Sequence, residues 1–244
     1  MKQQLADAWR TVFPSRDDPH GPLPPLLVLL TVVTGLVDAF SYLELGRVFV
    51  ANMTGNVVFL AFALGGTPGF VWWASLLGIA TFIVGAFLGG RIATAWGAHR
   101  GRHLLLAASA QGGVVLAAFI AAVLLPRPYG SGALVLLIVL LGVGMGLQNA
   151  TARALAVPDL TTTVLTLTIT GLSADSRAAG GRGAKLGRRL VSIASMFLGA
   201  LIGAGLVAAG QPALVLLIAT VLIAAIVART ASVARSTEAW TARP

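Results

Sequence analysis

The 244-residue chain is 57% hydrophobic and only 10% charged, against about a quarter charged in a soluble domain, so little of it is left for a water-facing catalytic domain. Its net charge of +9 reads as Lys and Arg marking the cytoplasmic loops of a membrane protein, not as a nucleic-acid surface. The absence of Cys excludes disulfides, thiolate metal sites and a Cys nucleophile, and the three His (His20, His99, His103) have no metal-binding spacing, so neither metal nor cofactor is expected.

Residues 2–13, KQQLADAWRTVF, place Leu5, Trp9, Val12 and Phe13 on one helical face. This suits an interfacial anchor or a partner contact, and equally a loosely ordered tail. A Pro-rich linker follows, ending at Pro25. Apolar segments then run over 26–46, 48–65, 70–95, 103–125, 132–153, 159–174, 188–209 and 212–234. The first lacks a small-residue cleavage site and carries Asp38, so it reads as a span and not a signal peptide. Six segments reach the roughly 20 residues that a spanning helix needs. The segments at 48–65 and 159–174 are short and polar at their centres.

Those two segments carry a degenerate repeat. Asp38-Ala39 aligns with Asn149-Ala150 at an offset of 111, and Met53–Asn56 with Leu165–Thr168 at 112. Gly78–Gly90 aligns with Ser192–Ala204 at 114. The expected organisation is a cytoplasmic N-terminal tail over 1–25, membrane repeat A over 26–125, a linker over 126–131, repeat B over 132–234 and a cytoplasmic C-terminal tail over 235–244. If the two short segments enter and leave on one side, fifteen Lys and Arg lie inside, against Arg47 and Arg127 outside. If all eight segments span, the split is twelve to five. The positive-inside bias favours six spans, which makes the two repeats inverted. Eight spans is the alternative. The fold class is thus an all-α polytopic membrane protein, with six spanning helices and two re-entrant or broken helical segments.

Polar groups in lipid are costly unless they find partners or line a cavity. Asp38 lies mid-span with Tyr42 one turn on; it suits a proton or cation site, or a structural ion pair with Arg91 or Arg153. Asn52 and Asn56 would share a helical face around Thr54, while Gly55 allows close backbone approach or a helix break. In the second copy Asn149, beside Gln148, stands where the first has Asp38, and Thr162, Thr166 and Thr170 fall on one helical face. Thr161, Thr163 and Thr168 add hydroxyls. Each residue alone also suits interhelical hydrogen bonding; as a matched pair of motifs they suit a pathway lining. Gly85-xxx-Gly89 and Gly199-xxx-Gly203 read as helix packing, within the chain or between subunits. The basic loop Ser176–Arg189 lacks the order of a phosphate-binding P-loop; it fixes topology or meets anionic lipid. No Ser nucleophile elbow, HExxH site or carboxylate cluster is present, so an enzyme is not expected.

The run DAFSYLELGRVFVANMTGN (Asp38–Asn56) resembles the signature of the YoaK-type family of bacterial integral membrane proteins, a domain-of-unknown-function family. VPDLTTTVLTLTITGL (Val157–Leu172) resembles that family's second Thr-rich segment, with Leu167 in place of the usual Gly, which puts a helix break there in doubt. The resemblance extends over roughly 26–230 and implies a multi-pass bacterial inner-membrane protein, without assigning an activity. Physical inference gives two functional expectations. One is a small-solute or ion transporter or channel, with a pathway lined by Asp38, Tyr42, Asn52, Thr54, Gly55, Asn56, Gln148, Asn149, Thr162, Thr163 and Thr166. Asp38 would be the ionisable group available for proton coupling. The other is a membrane scaffold or accessory subunit. The partners expected are the lipid bilayer and an unidentified solute or ion, with no nucleic acid; a bundle this small has little interior to spare, which keeps a homodimer open.

Overall fold

The computed structural model describes residues 2–15, 17–163, 165–174, 180 and 186–242. Its elements are α1 (Lys2–Val12), α2 (Leu23–Glu44), α3 (Met53–Leu64), α4 (Trp72–Trp96), α5 (Arg100–Leu124), α6 (Ser131–Leu155), α7 (Leu165–Ala174), α8 (Leu186–Ala208) and α9 (Pro212–Val233), with a short 3-10 turn over Ala239–Thr241. No strand occurs among the described residues.

Six helices (α2, α4, α5, α6, α8 and α9) are long and apolar enough to cross a membrane. At 12 and 10 residues, α3 and α7 reach about 18 and 15 Å, well short of a hydrocarbon core of about 30 Å. Six crossings, not eight, is what these lengths support. Leu167 does not abolish the break in the second half: α7 starts at Leu165, which aligns at the offset of 112 with Met53, where α3 starts.

The contacts sort the loops onto two ends. At one end His99 bonds the Ser236 carbonyl at 2.9 Å and Arg102 the Ala234 carbonyl at 3.4 Å. Here too the Trp240 ring lies over Gly21 (φ +52°), where a Cβ would stand 2.5 Å from the ring. Buried Arg100 gathers this end, donating to the carbonyls of Leu155 and Trp240. The segments before α2 and after α9 therefore lie together. At the other end Arg127 meets Glu44 at 3.7 Å and donates to the Gly210 carbonyl at 3.2 Å. Arg47 lies against Gly69 and over the Phe70 ring at 5.5 Å. Both ends of the α3 hairpin thus sit on one side of the bundle.

α2 and α6 are the central helices: 67% and 50% of their spanning windows are buried, against 22–33% in the other four. Each has one flanking helix from the opposite half, α8 on α2 and α4 on α6, while α5 and α9 pack together and against the central pair. Glycine makes the flanking contacts close. A Cβ on Gly35 would stand 2.3 Å from the Met196 carbonyl oxygen and 2.7 Å from the Ala200 nitrogen. One on Gly146 would stand 2.1 Å from the Phe82 oxygen and 2.8 Å from the Ala86 nitrogen. Gly199 and Gly85 repeat this from the facing helix, against Val32 and Val143. The two crossings use residues related by the offsets of 111 and 114. The GxxxG glycines therefore pack within the chain.

α1 is helical, as its pattern suggests, and packs on α8. Its Leu5, Trp9 and Phe13 remain exposed, with the Trp9 and Phe13 rings 4.4 Å apart. Of the basic loop Ser176–Arg189, positions 176–179 and 181–185 lie outside the described residues, and with them Arg177, Arg182 and Lys185.

Candidate functional site

Each short helix is preceded by a loop, and a polar side chain on the central helix of the same half holds that loop. In the first half Asp38 is buried, and its Oδ1 accepts the N–H groups of Val50 at 3.1 Å and Ala51 at 2.9 Å. Its Oδ2 is buried without a partner. Asn56, fully buried on α3, reaches back to the same loop and bonds both backbone groups of Phe49. In the second half Asn149 takes the place of Asp38, and its Oδ1 accepts the Thr163 hydroxyl while its Nδ2 donates to the Met145 carbonyl at 3.0 Å.

The anchored loops then differ in what they enclose. Tyr42 and Phe49 stack with centroids 4.9 Å apart, and Phe59 joins Phe49 at 5.6 Å. Phe49 also lies against Gly55, where a Cβ would come within 2.7 Å of its ring. These aromatics fill the angle between loop and helix. At the positions aligned by offsets of 111 and 112 stand Arg153 for Tyr42 and Thr161 for Phe49. There the angle is open, as a groove of about 690 Å³ between α4, α6 and the loop after α6. Asn149, Arg153, Thr94, Thr161 and Thr163 form its polar side, and Phe82, Ala86 and Ala150 are among its apolar lining. Backbone conformation in this loop is unusual. Ala156, Asp159 and Thr162 all have positive φ, between 51° and 65°, a region costly for residues with a Cβ and frequent at functional sites.

Of the expected pathway residues, Asn149 and Thr163 are in the groove. Asn52 and Thr54 are exposed, and Asn52 stands just before the start of α3 with no side-chain cap bond, so it shares no helical face with Asn56. Tyr42, Gly55 and Asn56 belong to the closed first half. Gln148 lies inside the bundle, accepting from Gln111 at 2.6 Å and donating to Thr34 at 2.8 Å and to the Leu30 carbonyl at 3.2 Å; it is not part of the groove's lining. The Thr162–Thr166–Thr170 stripe does not form, because the helix starts only at Leu165. Thr162 is a buried loop residue and Thr166 and Thr170 are exposed, while Thr168 is the hydroxyl turned inward.

The ion pair of Asp38 with Arg91 or Arg153 is also corrected. Both arginines are exposed near the ends of α4 and α6, and Asp38 satisfies Oδ1 with backbone donors instead. Arg153 belongs to the groove. The groove's α4 wall, including Phe82 and Thr94, carries no sequence signal, but an arginine in the last turn of an otherwise apolar helix was a usable pointer to this end of α6.

Six apolar helices of spanning length, with two short helices docked on them by polar anchors, define an all-helical multi-pass membrane protein. Residues 26–228 match the family described as "Protein of unknown function (DUF1275)", and the chain belongs to that family. Over 63 residues it is 44% identical to the UPF0700 transmembrane protein YoaK of Bacillus subtilis (strain 168), a stretch that is 26% of this chain and 28% of that relative. The expected YoaK-type membership is met. No solved structure matches the chain.

Proposed function

We propose that the protein is a small-solute or ion transporter of the bacterial inner membrane, not an enzyme, with both ends of the chain on the cytoplasmic side. Its two halves are inverted copies of one duplicated unit. The observation that carries this reading is the groove at Asn149 and Thr163: it opens at the very motif whose counterpart in the first half is sealed by Tyr42 and Phe49. Interrupted segments at matching positions of inverted halves are where secondary transporters bind solutes. The offsets shared by the Gly35–Met196 and Gly146–Phe82 contacts support the duplication.

A second reading, a scaffold or accessory subunit, draws on the first half, where Asp38 and Asn56 bond only their own chain. Flux into proteoliposomes separates the two. A transporter moves at least one of a panel of small ions and organic solutes in a protein-dependent way, and Thr163→Trp, which fills the groove, stops it. Absence of protein-dependent flux across the panel refutes transport and favours the scaffold.

A further inference from the structure

The groove has a one-signed lining. Among the described residues, Arg153 is its one charged side chain. The nearest acid on the same loop, Asp159, is taken by Arg189, whose Nε donates to Asp159 Oδ1 at 3.0 Å. Arg153 makes no ion pair among the described residues. Around it stand donors: the Thr161 hydroxyl and the second Nδ2 hydrogen of Asn149, whose first goes to Met145, while the Thr163 hydroxyl already gives its hydrogen to Asn149 Oδ1. Opposite, α4 contributes the apolar Phe82 and Ala86, and Ala150 of α6 adds to this apolar part of the lining. A guanidinium with adjacent hydroxyls recognises carboxylate or phosphate oxygens, and the apolar wall has room for a hydrocarbon body. A cation would meet an uncompensated like charge.

We infer that the groove binds a small amphipathic anion, its acidic head at Arg153 and its apolar body along α4. The inference deepens the transport reading and rests on it for the purpose of binding, but binding is measurable apart from flux. The chemistry belongs equally to a water-soluble organic acid and to the headgroup end of an anionic lipid, and the test has an arm for each.

In detergent, hexanoate should raise the thermal midpoint of the purified full-length chain, and the neutral hexanamide should not. Arg153→Gln should raise the hexanoate concentration needed at least tenfold, and Arg153→Lys should recover part of the effect. Thr161→Phe places in the second half the residue type that closes the first; it should abolish the effect while leaving Arg153 in place. In nanodiscs, native mass spectrometry reads the lipid arm. Phosphatidylglycerol retained by the unsubstituted protein and lost from Arg153→Gln identifies a lipid head, whereas hexanoate binding without such retention identifies a soluble acid; either result supports the anion site. If neither anion binds in an Arg153-dependent way, the inference is overturned. Binding without flux of any solute in the panel leaves the anion site standing and defeats transport. Protein-dependent flux of a cation or neutral solute, unchanged in Arg153→Gln, keeps transport and defeats the anion site.

Discussion

Asn56 and Phe49 are joined by two hydrogen bonds. The Phe49 N–H donates to Asn56 Oδ1 at 2.9 Å, and Asn56 Nδ2 donates to the Phe49 carbonyl at 2.5 Å. A side-chain amide thus replaces the strand or helix neighbour that this stretch of backbone lacks. Asn56→Ala leaves both groups of Phe49 unpaired beside the bundle and should cost about 2 kcal/mol or more, read as a lower unfolding midpoint in detergent. Asn52→Ala, on an exposed side chain, should leave the midpoint unchanged. Equal effects of the two would contradict the pairing.

Asp38 and Asn149 perform one task with different chemistry, and Asn at position 38 should serve as it does at 149. Asp38→Asn keeps the Oδ1 acceptor for Val50 and Ala51, so the fold should survive with little change in midpoint. Asp38→Ala removes the acceptor from two buried N–H groups and should destabilise by about 1–3 kcal/mol per group. If flux is found and is pH-dependent through Asp38, the Asn variant will transport without that dependence. A large loss of stability in Asp38→Asn would show that the charge itself holds the loop.

The close helix crossings give a sharp contrast between glycines. Gly35→Ala and Gly146→Ala push a methyl into a facing backbone and should each cost about 3 kcal/mol. Gly113→Ala and Gly205→Ala meet nothing within 4 Å and should be neutral or gain a few tenths of a kcal/mol from helix propensity. Thermal unfolding of the four variants checks this directly; neutrality at Gly146 would disprove the crossing.

Six spans place Thr67 and Gly130 at one end and Ala98 and Ser236 at the other. The chain contains no Cys, so single cysteines report without background. In intact cells Thr67→Cys and Gly130→Cys should react with a membrane-impermeant thiol reagent, and Ala98→Cys and Ser236→Cys only once the cells are opened. Labelling of Gly46→Cys, before α3, and Thr67→Cys, after it, from different sides would mean that α3 crosses the membrane.

Tyr129 lies in the connection before α6 and donates to the Ala122 carbonyl at 3.1 Å. Burial, and then the negative charge of Glu44, push its phenol above the ordinary value. The neutral phenol is therefore the form that folding favours. Its contribution is intact below the unfolded value of about 10 and is lost as pH rises through the higher folded value. Tyr129→Phe should flatten the alkaline limb of a stability–pH curve; an unchanged limb would dissociate that limb from Tyr129.

Much of this architecture was legible in the residues. Apolar runs long enough to span marked all six long helices, and the polar centres of 48–65 and 159–174 marked the segments that fall short. Asn149 and Thr163 were legible because polar groups in such a setting need a reason. Other features were not, for a physical reason: the 3.6-residue period assumes a continuous helix. That assumption set Asn52 beside Asn56 and lined up Thr162 with Thr166, whereas the chain unwinds through both loops. Nor does any local pattern say that Asn56 grips the backbone seven residues earlier, or that Phe49 fills a space that Thr161 leaves open. Those depend on which helix lies opposite, and α4 and α8 come from distant parts of the chain.

The glycine crossings join α2 to α8 and α4 to α6, so each tight pair takes one partner from either side of the linker at 126–131. Neither half encloses an interior by itself. The covalent linker is consequently the least important bond between them: two fragments cut there would each expose a glycine-lined seam that only the other can fill. Each segment is thus completed by the other, and the packing across the glycine seams holds them together more than the connecting chain does.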